Sequence, residues 1–330
     1  MHILLNTALA GEIRLSPELP PQLRPYRLPG SICYGAAGPF GHVLFQELDG
    51  DGISIRHTRL YFEEDDRLVY RSEEPALRLQ VMLNNSLYYE AGGLGEKVLH
   101  ERGFSLNYVP SIDHRMTVRA RGQYSHLSVN YRPGDLQQLQ SSFPALPEFL
   151  RKVLAKEPGE YSQHYCIADS RMIMLADSML GCPYTGRLRS VYLHSLAMEI
   201  LVLALVTITE KYGNGRLLPV AREDAERVYA AKRVLLDEID QPISLPELAG
   251  RAGLSAYKLN GHFKAIYGIG VVEWLYEQRM ERAHRALQET QLSLGDIARK
   301  SGYSGAAAFG LAFKKRYGYA PAFVQKNGKM

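Results

Sequence analysis

Cysteine is scarce: Cys33, Cys166 and Cys182 are the only three in 330 residues, odd in number, far apart and without a C-x-x-C pair. This excludes a disulfide framework and a cysteine-rich zinc site, and three buried thiols are expected instead. The ten histidines are scattered and no H-x-H occurs. A metal-binding barrel of the cupin type needs a clustered H-x-H followed by a carboxylate, so no metal, cofactor or catalytic residue is assigned and a barrel enzyme is not expected. His42, His57, His114 and His126, on or near predicted strands, read as ordinary surface or satisfied core residues. Long apolar runs are also missing. The most apolar stretch, Ile200 to Ile208, is about half the length needed to cross a bilayer and is soon followed by Glu210 and Lys211, so no membrane partner is expected. Met1-His2-Ile3-Leu4-Leu5-Asn6 has neither the basic start nor the small-residue cleavage site of a secretory signal, which makes the cytoplasm the expected location.

What is present is an ordinary globular mixture, 46% hydrophobic and 22% charged, in a chain about twice the usual size of one domain. Two modules follow as the expectation. The formal charge of +4 is unevenly placed. From Arg251 onward there are 13 Lys and Arg against 5 Asp and Glu, the footprint of a surface that neutralises phosphates.

Residues 31 to about 131 alternate in polarity over short runs such as Ile53-Ser54-Ile55-Arg56, Leu77 to Leu83, Phe104 to Tyr108 and His126 to Tyr131. Asp49-Gly50-Asp51-Gly52, Asn84-Asn85 and Gly92-Gly93 punctuate them, and Pro133-Gly134 ends the region. This is the pattern of a β-sandwich or barrel. Tyr61-Phe62 and Tyr88-Tyr89 serve either packing or an aromatic pocket. From Asp135, read as an N-cap, the period becomes helical through Leu136, Leu139, Phe149, Leu150, Val153 and Leu154. The longest helix runs from about Thr185 to about Tyr212, its apolar stripe serving as core or as a dimer seam. Gly213-Asn214-Gly215-Arg216 reads as a linker.

Beyond the linker one element occurs twice, about 50 residues apart. The first copy is Ile243-Ser244-Leu245-Pro246-Glu247-Leu248-Ala249, Ala252-Gly253-Leu254-Ser255, Leu259, Phe263-Lys264 and Tyr267-Gly268. The second is Leu292-Ser293-Leu294-Gly295-Asp296-Ile297-Ala298, Ser301-Gly302-Tyr303-Ser304, Phe309, Phe313-Lys314 and Tyr317-Gly318. Each reads as a helix-turn-helix. Ser244 and Ser293 cap a short helix, with Glu247 and Asp296 completing or approximating a capping box. Ala249 and Ala298 permit close helix approach, and Gly253 and Gly302 supply a left-handed turn residue. Ser255 and Ser304 start the next helix, anchored by Leu259/Phe263 and Phe309/Phe313. The fold class expected is α+β in two domains: residues 1–216, a cupin-like β-barrel or sandwich followed by helices, and residues 217–330, an all-α double helix-turn-helix.

The two motifs, the connecting Trp274-Leu275, Arg279-Met280, Ala283 and Leu287, and the terminal Gly318 and Pro321 resemble the DNA-binding domain of the AraC/XylS family from Asp224 to about Gln325. The resemblance implies that helices 256–266 and 305–316 enter successive major-groove segments on one DNA face, about 34 Å apart. Positions matching the family's base readers are Tyr257, Asn260 and Gly261, then Ala306, Ala307, Gly310 and Leu311. Asn260 is the candidate for reading a base, because an amide pairs with adenine. Tyr257 and Lys258 reach base or backbone, and Lys264 joins the DNA-contacting set. The second helix departs from the family pattern in being small and apolar. It would touch thymine methyls through Ala306 or Ala307 and clamp phosphates through Lys314, Lys315 and Arg316.

Cys182-Pro183-Tyr184-Thr185-Gly186, Leu188, Tyr192-Leu193 and Glu199-Ile200-Leu201 are similar to the pyochelin-regulator-like branch, whose effectors are siderophores and iron. The function implied is an effector-controlled transcription regulator, in the first instance an activator. Its implied partners are duplex DNA, a small molecule such as a ferric siderophore, RNA polymerase and a second copy of the chain. A regulator sensing a sugar, antibiotic or aromatic acid is the alternative. A repair alkyltransferase would need a reactive cysteine near the motifs, and none lies beyond Gly213.

Overall fold

A computed structural model of the chain describes residues 4–162, 166–212, 220, 222–267, 269–290, 292–317 and 319–327. It divides into two compact units, Met1–Leu218 and Pro219–Met330. The Gly213–Arg216 segment read as a linker lies outside the described residues.

The first unit begins with twelve strands: β1 (Leu4–Thr7), β2 (Gly11–Ile13), β3 (Ile32–Gly38), β4 (Gly41–Asp49), β5 (Ser54–Phe62), β6 (Asp66–Ser72), β7 (Ala76–Asn84), β8 (Leu87–Ala91), β9 (Gly95–Leu99), β10 (Gly103–Val109), β11 (Ile112–Val118) and β12 (Gln123–Asn130). Short β13 (Gly159–Glu160) and β14 (Cys166–Ile167) follow later in the chain. One sheet has the order β2-β1-β6-β11-β8-β9; the other runs β13-β10-β7-β12-β5-β4-β3, with β14 also on β10. All pairings are antiparallel. The strands begin earlier than the sequence suggested, at Leu4, because β1 is held as an edge partner of β6.

The larger sheet is covered on both faces. Leu77, Leu79 and Val81 of β7, Leu127 and Val129 of β12 and Phe104 and Leu106 of β10 join one buried cluster with the helices. Leu60, Phe62 and Met82 join a second cluster with Leu68, Leu87, Leu99 and Met116 of the other sheet. Side chains alternate across a strand. The in-between positions Arg78, Gln80, His126, Ser128 and Asn130 therefore project between the two sheets and line an internal space.

The helices are α1 (Pro133–Gln137), α2 (Leu146–Leu154), α3 (Ser170–Leu180) and α4 (Gly186–Thr207). Asp135 is at the third position of α1 rather than its N-cap: Arg132 is the cap residue, and its N–H donates to Asp135 Oδ2 at 2.8 Å. Pro133, which lacks an N–H, occupies the first turn where none is needed. Leu136, Phe149, Leu150 and Val153 are buried as expected, whereas Leu154 faces solvent. Cys33 and Cys166 are buried thiols, but Cys182 is only half-buried.

α4 corrects the apolar reading of Ile200 to Ile208. By length and apolarity the segment Gly186–Glu210 is sufficient to cross a membrane, its most apolar 18-residue window having a mean hydropathy of 2.0. Half of that window is buried inside this unit, through residues including Leu193, Leu196, Ala197, Ile200, Leu201, Ala204 and Leu205. An apolar helix of this kind is what a seat against a fully covered sheet selects. Tyr131 fixes it further, its hydroxyl donating to the Ala197 carbonyl at 2.8 Å.

The second unit is helical: α5 (Arg222–Asp237), α6 (Leu245–Arg251), α7 (Ala256–Tyr267), α8 (Val271–Glu289), α9 (Leu294–Lys300), α10 (Ala306–Tyr317) and α11 (Pro321–Asn327). Ser244 Oγ accepts the Glu247 N–H at 3.3 Å and Ser293 Oγ the Asp296 N–H at 3.1 Å, so both short helices start on serine caps. Gly253 and Gly302 have φ of +68° and +75°, which L side chains adopt only with strain. Phe263, Phe309 and Phe313 are fully buried. Phe263 meets Trp274 of α8 edge-on at 5.5 Å, and Phe309 and Phe313 pack with Met280, Ala283 and Leu287 of the same helix. α8 is thus the shared wall of both motifs.

Candidate nucleic-acid interface and ligand cavity

With Leu259, Phe263, Ile266 and Tyr267 turned inward, α7 exposes Tyr257, Lys258, Gly261 and Lys264. Tyr257 is 90% exposed, too much for packing to account for an aromatic ring at that position. Lys258 is more committed: its Nζ lies 3.6 Å from Asp224 Oδ2 of α5. α10 exposes Ala306, Ala307, Leu311, Lys314 and Lys315 while Phe309 and Phe313 anchor it. Leu311, 75% exposed, makes the outer face of α10 apolar in its middle and basic at its C-terminal end. Arg316, assigned with the two lysines as a phosphate clamp, is instead paired with Glu277 of α8 at 2.6 Å.

Asn260 requires a larger correction. It is half-buried, and its Oδ1 accepts the Val271 N–H at 3.0 Å, satisfying one of the unpaired donors at the start of α8. A Cβ on Gly270 would come within 2.8 Å of that oxygen, so the cap depends on glycine there. An amide reading adenine needs its oxygen and its nitrogen together. The oxygen of Asn260 is already used.

The two motifs are tied together by Arg279 of α8. Its Nε and Nη2 each donate at 2.8 Å, to the carbonyls of Ile239 and Gln241 beyond α5. A Cβ on Gly302 would meet Arg279 Cζ at 2.5 Å, so the second turn closes directly on this guanidinium.

The first unit holds a cavity of about 60 Å³ between the two sheets. Tyr34, Phe45, Tyr70, Tyr89 and Met116 give it apolar walls, and Arg56, Arg78, Gln80, His114, His126 and Ser128 give it polar ones. Of the expected aromatic clusters only Tyr89 lines it. Phe62 is core, Tyr61 bonds Glu63 at its hydroxyl, and Tyr88 is half-exposed. The histidines also differ from expectation. His57 is satisfied by Gln46 and Ser125, at 3.4 and 2.8 Å, whereas His126 Nδ1 is buried without a hydrogen-bond partner. Among the described residues no group of three or more His, Cys, Asp or Glu gathers to hold a metal. Burial pushes His57 down to about 4, His126 to about 3 and His114 to about 2, with the Arg78 charge adding to the last two. All three are neutral imidazoles at neutral pH.

Residues 40–216 match the family described as the regulatory protein PchR N-terminal domain, and residues 248–327 match a helix-turn-helix domain. The regulatory protein PchR of Pseudomonas aeruginosa is 32% identical over 162 residues, covering 48% of this chain and 53% of that protein. The HTH-type transcriptional regulator GlxA of Rhizobium meliloti is 27% identical over 190 residues, 57% of this chain and 56% of its own length. The chain thus spans about half the length of these curated relatives. Among solved structures, an AraC-type transcriptional regulator from Chromobacterium violaceum is 23% identical, covering 32% of this chain and 94% of its own, with a TM-score of 0.30.

Two outcomes follow. Asn260→Ala should lower the stability of the helical unit by about 1 kcal/mol through loss of a helix cap, and leave base preference unchanged. Urea unfolding beside DNA-sequence selection checks this, and a loss confined to one base pair with unchanged stability contradicts it. For the histidines, the folded state binds fewer protons than the unfolded chain, whose imidazoles titrate near 6.5. Their stabilising contribution is therefore full above that value and lost as pH falls below it, by roughly 1 kcal/mol each at pH 5.5. The urea concentration at which β7 and β12 lose hydrogen-exchange protection should drop between pH 7 and pH 5.5. No change would mean that these imidazoles are not buried neutral.

Proposed function

The chain belongs to the AraC-type DNA-binding transcription regulators with a PchR N-terminal domain, and on that premise we propose that it controls transcription by placing α7 and α10 in successive major-groove segments of an operator. The observation that carries this is the duplication: two serine-capped helices, two positive-φ glycines and two phenylalanine-anchored outer helices on one shared wall. Tyr257, Lys264 and, when released from Asp224, Lys258 make contacts from the first motif. Ala306, Ala307 and Leu311 present apolar surface suited to thymine methyls, and Lys314 and Lys315 take phosphates. Arg316 and Asn260 act by holding α8 in place.

The working unit is a dimer in the cytoplasm, acting on RNA polymerase as an activator. The exposed Leu188, Val191 and Val202 of α4 are the apolar surface available for pairing. The inter-sheet cavity receives the effector, for which the likeness of Cys182 to Leu201 to the pyochelin-regulator branch suggests a ferric siderophore.

Binding of the full chain to its footprinted operator should weaken steeply with salt. Lys314→Ala and Lys315→Ala should each lower the slope of log K against log salt by about one, equally on all sequences. A flat salt dependence contradicts the interface. For the effector, transcription from that promoter should change when a ferric siderophore is added, because a ligand must favour one arrangement to act at all. An unchanged transcript level with saturating siderophore removes that effector and leaves DNA binding standing.

A further inference from the structure

The cavity contains one charge that the protein leaves uncompensated. Arg78, the third residue of β7, is 6% exposed. Its Nε donates to Asn107 Oδ1 at 3.2 Å and its Nη2 to His114 Nε2 at 3.1 Å, both neutral groups. A guanidinium has five N–H groups, so three remain. Among the described residues no carboxylate approaches Arg78 within salt-bridge distance. The contrast is Arg56, which lines the same cavity and is paired with Glu47 at 3.1 Å and Glu74 at 3.3 Å. Glu47, the acid in the lining, is further used by Ser54 at 2.6 Å. Burying an unpaired charge costs several kcal/mol, and buried charges are as a rule paired.

We infer that Arg78 is the anchor for the anionic group of an aromatic ligand bound between the two sheets. The anion is a carboxylate or a group of like shape, since the planar fork of a guanidinium takes two oxygens in parallel. The body of the ligand is aromatic because the walls around Arg78 are: Phe45 stacks on Tyr70 at 6.0 Å, and Tyr89 leans on His114 at 5.0 Å. Gln80 and Ser128 border the same space, and a polar edge on the ligand can bond there. A sugar would leave the guanidinium without a counter-charge. A neutral hydrocarbon would bury it more deeply at further cost. The inference rests on the reading of this cavity as the effector site and adds the class of molecule it takes.

A matched pair of fluorescent probes tests it on the full chain. 1-Anilinonaphthalene-8-sulfonate and N-phenyl-1-naphthylamine share a ring system and differ by the sulfonate. The sulfonate should bind at one site at least tenfold more tightly than the neutral amine. Arg78→Met should abolish that preference while leaving the amine's affinity unchanged, which also reports that the cavity is intact. Arg78→Lys should keep part of the preference, and Ser128→Trp, which fills the space, should remove both probes. Equal affinities in the unaltered chain, or a preference that survives Arg78→Met, overturns the anchor and leaves the cavity as a ligand site, whereas probe binding that survives Ser128→Trp places the probes elsewhere and overturns both. Binding of neither probe overturns the cavity reading as well.

Discussion

The first unit depends on one constraint: the central strands of its larger sheet, β7 and β10 above all, have no face left for water. One face carries the helices and the other faces the second sheet, so each strand must satisfy two interiors with alternate residues. β7 shows the consequence. Leu77, Leu79 and Val81 supply the apolar seat shared with α4, and Arg78, Gln80 and Met82 supply the inner lining. The same constraint accounts for α4, which is more apolar than a surface helix because it lies on a sheet already closed behind. It also accounts for the neutral histidines, placed where a charge has no water to face.

The helical unit is organised around α8. Each motif is locally complete, with its own cap, turn and inner face, yet neither has enough apolar surface to close alone. α8 lends Trp274 to one and Met280, Ala283 and Leu287 to the other. Its polar residues then set the spacing. Arg279 holds the carbonyls of Ile239 and Gln241 and lies against the Gly302 turn, while Asn260 caps the helix start. Residues that look free for DNA in a list of exposed helix positions are partly committed to this frame, as Arg316 is to Glu277.

The difference between what was legible in the sequence and what was not follows from this. The two motifs were readable because their signals are local: a serine, an acid three places on and a glycine at the turn fix the backbone through contacts within a few residues. The strands were readable from alternation. Alternation does not say what lies on the polar side, and a solvent face and a lined cavity produce the same pattern. Arg78, His114 and His126 were therefore missed or taken as routine. The available signal was an arginine inside the apolar run Leu77 to Leu83, where a solvent-facing edge strand would have carried several charges. The structural tie of Asn260 was not legible for a related reason: the family resemblance set it among the base readers with Tyr257 and Gly261, but its partner, Val271, lies 11 residues on, past a turn whose geometry the pattern does not give.

An effector acts only through a difference in its affinity for two arrangements of the protein, and a change from mostly off to mostly on needs roughly 3–5 kcal/mol of such difference. If the effector binds in the inter-sheet cavity as proposed, β7 is the strand that links it to the helices, because a strand is one residue thick. Arg78 faces the cavity, and its neighbours Leu77 and Leu79 face the cluster that seats α4. A charge that is unpaired in one state and paired in another alters the energetics of the strand that carries it, and a packed sheet transmits a small displacement because its interior does not compress. The apolar walls set how tightly a ligand is held. On the proposed reading, the polar anchor is the contact that can differ between the two states.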